Sequence, residues 1–257
     1  MKISRSLIWM TAAGLVWSTA AATVAHAGDF YVAGGFGFAR DKGEADGSFD
    51  VPGLLTDLGG EDTDQSPVYQ VALGFETNLY DVFRIPEFPR WKMRFEYEFQ
   101  GGRDFELKTD GPATVPGVDF RSDGESWNFL HSIWFHAPVH TPFSALFGRL
   151  PILEPLSVYT GGGVGVAGIE IDTESFLVEG DVEEKLFAWQ VGTGLQYELT
   201  DHVAFTVGYR YLNLGKVEAD LDGTAGEDRG EYSLDLSSHE IRTMLQVNFF
   251  SVPFPPR

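Results

Sequence analysis

The sequence predicts an all-β fold: an eight-stranded, antiparallel, up-and-down transmembrane β-barrel. Three observations carry that expectation. Eight segments alternate with period two, small residues crowd the polar side of those segments, and almost all net charge falls in every second connection.

The elements follow in chain order. Lys2 and Arg5 precede a short apolar run from Ser6 to about Val16, and Ala25-His26-Ala27 offers an A-x-A cleavage site. That order of charge, apolar core and small residues predicts a cleaved secretory signal over residues 1–27. The apolar run falls short of the roughly 20 residues that a spanning helix needs. The mature chain, 28–257, is expected to be one barrel with four long acidic extracellular connections and a short C-terminal tail. Cysteine is absent, so no disulfide framework is available. The 21 Phe, 9 Tyr and 6 Trp, with 30 Gly, favour strands over helices.

The first two segments, Phe30–Arg40 and Pro67–Asn78, set Ala33, Gly35 and Gly37, and then Ala72, Gly74 and Glu76, on one side. The third, Trp91–Gln100, reads WKMRFEYEFQ. Trp91, Met93, Phe95, Tyr97 and Phe99 form one side; Lys92, Arg94, Glu96, Glu98 and Gln100 form the other. The fourth, Trp127–Ala137, alternates least well, since Leu130 and Trp134 share a side with Asn128 and Ser132. The fifth, Leu156–Glu170, carries Gly161, Gly163 and Gly165. The sixth, Leu186–Leu199, opposes Phe187, Trp189, Val191, Leu195 and Tyr197 to Gln190, Gly192, Gly194, Gln196 and Glu198. The seventh, Val203–Leu212, opposes Phe205, Tyr209 and Tyr211 to Thr206, Gly208 and Arg210. The eighth, His239–Phe250, opposes Ile241, Leu245, Val247 and Phe249 to Glu240, Arg242 and Gln246.

Alternation alone does not say which side is inside. A soluble lipocalin-like carrier would turn the aromatic side inward, and an outer-membrane barrel would turn it outward. Glycine gains nothing on a solvated outer face, whereas a narrow eight-strand interior has no room for large side chains from every strand. The long charged groups on the glycine side also nearly balance. Glu76, Glu96, Glu98, Glu198 and Glu240 stand against Lys92, Arg94, Arg210 and Arg242. A confined lumen demands such pairing. The polar side is therefore expected inward as an ion-pair network of Arg94, Glu96, Glu98, Glu76, Glu198, Arg210, Glu240 and Arg242. The lipid-facing and interfacial set is expected to be Trp91, Phe95, Tyr97, Phe99, Phe187, Trp189, Tyr197, Phe205, Tyr209, Tyr211 and Phe249, with Trp127 and Phe250 at strand ends.

Residues 40–67, 101–126, 169–185 and 213–238 hold 28 acids and 8 bases. Their net of −20 compares with −22 for the mature chain, so one end of the barrel is acidic and the other quiet. Such a charge excludes a nucleic-acid partner, which needs a basic surface.

Ala188 to Gly215, AWQVGTGLQYELTDHVAFTVGYRYLNLG, resembles the penultimate hairpin of small outer-membrane barrels of the OmpA transmembrane-domain and opacity/porin-like type. YTGGGVGVAG, Tyr159 to Gly168, resembles their glycine-rich fifth strand. The resemblance implies an eight-stranded barrel in a Gram-negative outer membrane and little about activity. Its implied surroundings are outer-membrane lipid and lipopolysaccharide, and the barrel-assembly machinery, with the protein as a monomer. Such barrels usually end on an aromatic strand residue, whereas Phe250 here precedes SVPFPPR, a proline-rich tail expected to lie outside the strand.

Chemical motifs give way to structural readings. Gly163-x-Gly165-x-x-Gly168 fits a dinucleotide fingerprint in letters, but GIEIDTESF after it is no helix of the required kind. No cofactor is expected. Ser132 and His131 are adjacent and so point to opposite faces of a strand, which prevents direct cooperation. Glu96 and Glu98 could suit a glycosidase pair, yet Arg94 beside them favours a lumenal network. Asp220, Asp222, Glu227 and Asp228, and Glu61, Asp62 and Asp64, lack EF-hand spacing and predict at most weak divalent binding. The expected role is structural or surface interaction, with no catalytic site, no dedicated metal site, and any ligand of the acidic connections left open. The alternatives are a narrow porin-like channel, an outer-membrane lipid hydrolase and the soluble carrier.

Overall fold

The computed structural model describes residues 28–51, 54–83, 91–110, 119–139, 151–174, 178–223 and 228–252. Residues 1–27, where a signal is expected, and residues 253–257 lie outside this set. Eight antiparallel strands close into an up-and-down barrel in chain order. They are β1 (Gly28–Val51), β2 (Leu54–Asn78), β3 (Lys92–Asp110), β4 (Asp119–Pro138), β5 (Leu156–Glu174), β6 (Val178–Thr200), β7 (Val203–Gly223) and β8 (Asp228–Val252). A five-residue helix, α1 (Leu79–Phe83), follows β2. Closure pairs β1 with β8 from Gly28↔Val252 to Phe49↔Gly230. Every strand is thus paired on both sides, so the sheet has no free edge through the barrel proper.

The strands are roughly twice as long as the alternating segments. The acidic connections are largely strand rather than loop: the β1–β2 ladder runs on to Val51↔Leu54 and β3–β4 to Asp110↔Asp119. The tail expectation is also corrected at its start, because Ser251 and Val252 pair with Asp29 and Gly28. Two periodicities explain the extension. In the half of the barrel that holds the termini, up to the foot of the far end, apolar groups face out, with Phe38, Tyr69 and Phe187 among the most exposed. At the far end acids face out and apolar groups face in, so Phe105, Leu107, Ile169, Ile171, Leu234 and Leu236 are buried. That far end is called the crown below.

Backbone pairing in the crown is incomplete. Among the described residues, β2 and β3 form no ladder pair beyond Tyr69↔Gly101. Between β6 and β7 the ladder stops at Trp189↔Asn213 and resumes only at Glu179↔Asp222 and Val178↔Gly223. The crown is therefore two four-stranded sheets, β7-β8-β1-β2 and β3-β4-β5-β6, facing each other. They are joined at the tip on the β6–β7 side and unladdered on the β2–β3 side. At the foot of each seam stands a glycine with positive φ, Gly102 (76°) and Gly215 (98°). Left-handed backbone disfavours other residues, so glycine is required at these two bulges.

Candidate functional site: the lumen and the acidic crown

Of the acids and bases expected to point inward, Glu76, Arg94, Glu96, Glu98, Arg210, Glu240 and Arg242 are buried and Lys92 and Glu198 are partly exposed; Asp41 and Arg103 are buried alongside them. Nearest the termini, Lys92 Nζ lies 2.9 Å from Glu76 and 2.6 Å from Glu198. Glu198 is half-exposed at this mouth, so its pair is the weakest of the set. Deeper, the Arg94 guanidinium donates to Gln196 and Gln246, both at 3.2 Å, and sits over the Tyr31 and Tyr159 rings. Glu96 accepts from the Tyr31 hydroxyl at 2.7 Å and from the Trp134 indole at 3.2 Å.

Above this layer the ions form a chain. Glu98 pairs with Arg242 at 2.6 Å and with Arg210. The Nε of Arg210 reaches Glu240 at 2.6 Å, Glu240 also pairs with Arg103, and Arg103 Nε lies 3.3 Å from Asp41. Gln100 donates to Glu240 at 3.1 Å and accepts from Asn128 at 2.7 Å. Gln190 accepts from Arg210 at 2.7 Å and donates to Ser132 at 2.6 Å. Burial of these ions demands such partners, because an isolated one would cost several kcal/mol.

Asp41 lies beyond the apolar belt, at the base of the crown. Burial pushes its carboxyl above the ordinary aspartate value, against the opposing Arg103 charge and the Ser66 hydroxyl, which donates to it at 2.6 Å. Asp41 escaped the sequence reading because its strand continues past Arg40 in unbroken phase. Arg103 escaped because the bulge between Gln100 and Arg103 reverses the phase of β3. The Gly101-Gly102 doublet is the signal that could have revealed it.

Three lumenal aromatics were also missed. Tyr31, Trp134 and Tyr159 are wholly buried among the polar groups. Glycines make room for them: a side chain at Gly74 would strike Tyr31, one at Gly161 would strike Trp134, and one at Gly208 would strike Tyr159. The weak fourth segment is thereby explained, since Leu130 and Trp134 do face inward with Asn128 and Ser132.

On the outer wall, Tyr97, Phe99, Phe187, Trp189, Phe205, Tyr209 and Phe249 are exposed. Phe95, Tyr197 and Tyr211 are partly covered, and Trp91 is partly covered just before β3. Met93 departs from the expected stripe and is buried. Ser132 lies in the lumen and His131 on the outer side, so the wall separates them.

An outer wall of aromatic and aliphatic groups around a polar, ion-paired interior is an inverted soluble protein, which only lipid accommodates. The family model of the outer membrane protein beta-barrel domain matches residues 10–249. The chain belongs to this family. It is an outer-membrane β-barrel, and the soluble-carrier alternative falls. It is 29% identical over 187 residues to the outer membrane protein PagN of Salmonella typhimurium, covering 70% of each chain. Among solved structures it is similar to the outer membrane protein AlkL in lipid bilayers, with 21% identity, 86% of this chain and 90% of that one covered, and a TM-score of 0.46. It is also similar to OprG from Pseudomonas aeruginosa, with 15% identity, coverage of 87% and 97%, and a TM-score of 0.45.

Above the lumenal ions the barrel interior turns apolar. Leu107, Leu130, Ile169, Leu212, Leu214, Leu234 and Leu236 belong to one buried cluster, to which, among the described residues, seven of the eight strands contribute. Leu107 of β3 crosses to the space over Gly43 of β1, beside Leu234 of β8. On the outside of the same crown, register aligns acids in rows. Asp104 pairs with Glu125, Glu125 with Glu170, and Glu170 with Glu183. One step further from the membrane, Glu106, Asp123 and Asp172 form a second row. A surface cavity of about 530 Å³ lies against seven acids, including Asp64, Asp104, Glu106 and Asp172. No group of three or more acids or histidines among the described residues is placed to hold a metal ion.

Proposed function

We propose that this outer-membrane barrel acts as a monomeric surface-interaction protein with its crown outward and its lumen closed at rest. The observation that carries the reading is the pair of carboxylate rows across β3–β6. Like charges directly opposite one another destabilise a sheet. A face that keeps two such rows gains from a cationic partner that relieves the repulsion, and it steers such a partner toward the cell surface.

The belt of outward aromatics sits in lipid, with Trp127 at the lipopolysaccharide headgroup level just below the first acidic row. Insertion of so continuous a β-barrel calls on the barrel-assembly machinery. Closure at rest comes from two successive barriers: the ion-pair chain from Asp41 to Arg242 and the apolar cluster above it. The role has no catalytic step.

The test is binding of a fluorescent oligolysine peptide to the protein in lipid nanodiscs. Affinity should fall steeply with ionic strength and at least tenfold in a Glu125→Gln, Glu170→Gln variant. Binding unaffected by that double substitution would refute the assignment of the face.

A further inference from the structure

We propose that the β2–β3 side of the crown is a gate, and that parting it wets the apolar cluster, separates Arg103 from Asp41 and Glu240 in the ion-pair chain, and so connects the polar lumen with the exterior. The proposal rests on the reading of the crown as the resting seal, and it adds a second activity, intermittent conduction of small ions.

Four features of the fold converge on this seam. First, among the described residues, β2 and β3 are not laddered above Tyr69↔Gly101, whereas the opposite seam is tied at its tip by Glu179↔Asp222 and Val178↔Gly223. The two sheets can therefore part on one side only, about the tied side. Backbone hydrogen bonds that are not there need not be broken.

Second, the backbone at the foot of the seam is a bulge at Gly101-Gly102, with Gly102 at φ 76°. A bulge of this kind bends the strand and loosens the ladder locally.

Third, side chains, rather than a ladder, hold the seam. The Glu106 backbone N–H donates to the Asp64 carboxylate at 2.9 Å, and Arg103 of one sheet pairs with Asp41 and Glu240 of the other. Leu107 completes the closure inside, against Gly43 and Leu234.

Fourth, the lumen below is suited to water and the layer above is not. Gln70 Nε2, Asn128 Oδ1 and Arg242 Nε are buried and have no protein partner. Polar atoms of this kind are ordinarily satisfied by internal water. The cluster above them has only hydrocarbon to offer, and a narrow hydrocarbon constriction blocks ions by dewetting.

The experiment uses the full mature barrel in planar lipid bilayers. Absence of native cysteine makes an Asp64→Cys, Glu106→Cys pair a clean lock across the seam. Wild type should show brief, infrequent conductance steps. The double-cysteine protein should show them when reduced and lose at least nine-tenths of them when oxidised. Leu107→Asn, which puts an amide into the apolar layer, should raise their frequency about tenfold or more. A heat-shift gel confirms that each variant is folded. Steps that persist unchanged after oxidation would overturn the seam as the gate, and an unchanged frequency in Leu107→Asn would overturn the apolar layer as the barrier. Silence in both wild type and Leu107→Asn would overturn the proposal as a whole. Oligolysine binding is read separately, so loss of one activity leaves the other interpretable.

Discussion

The hydroxyl of Tyr159 occupies the space from which a side chain at Gly208 would grow. Tyr159 projects from β5 across β6 and fills the room left by Gly194 and Gly208, so two glycines on neighbouring strands serve one aromatic ring. Small residues on the lumen wall are the complement of large ones, a jigsaw that tolerates little added volume.

Gly208→Ala should therefore destabilise the barrel by about 1–3 kcal/mol through overpacking. Tyr159→Phe removes the obstructing oxygen and should recover part of that loss in the double variant. Urea unfolding in micelles, followed by tryptophan fluorescence, measures both. Additive losses would show that Tyr159 and Gly208 are not coupled.

Glu98 neutralises two guanidinium groups, Arg210 and Arg242, with no water-exposed surface of its own. Glu98→Gln leaves both cations short of a partner and should cost roughly 3–5 kcal/mol. Glu198→Gln, at the half-exposed mouth, should cost about 1 kcal/mol or less. Equal effects in the same unfolding assay would contradict the burial gradient along the lumen.

Asp41 should make stability fall as pH rises. Its folded carboxyl holds a proton more tightly than the ordinary aspartate value of 3.8, because burial outweighs Arg103 and Ser66. The folded state then binds more protons than the unfolded state between that value and the raised one, so stability drops through this window. Asp41→Asn should flatten that part of the pH–stability curve. A wild-type curve that instead climbs there, by an amount Asp41→Asn removes, would show that the carboxyl is stabilised as an anion.

Glu170 stands directly between Glu125 and Glu183. Glu170→Gln should stabilise the crown by about a few tenths of a kcal/mol at low ionic strength, with the gain shrinking as salt is added. Salt-independent stabilisation would point to packing rather than charge.

Legibility differed sharply between features. The lumenal positions of Arg94, Glu96, Glu98, Arg210, Glu240 and Arg242 were readable, because each sits in a run whose opposite side is aromatic. The buried apolar side of the crown was hidden inside segments that look merely acidic. Asp104-Phe105-Glu106-Leu107 and Glu170-Ile171-Asp172 alternate as regularly as the membrane segments, but with charge and hydrocarbon exchanged. Net charge masked the period. Arg103 was unreadable for another reason, since a bulge shifts the face without changing the letters on either side.

By itself the sequence determined the strand number, the antiparallel order, the acidic end and the face that each membrane segment turns to lipid. Those follow from side-chain alternation, a local property of extended backbone. Only the tertiary structure decided which ions meet. Arg210 and Arg242 reach Glu98 from 112 and 144 residues away, through the stagger at which the barrel closes. It also decided that the crown is two sheets with one untied seam. Register and closure are collective quantities, set by all eight strands together, and no single segment carries them.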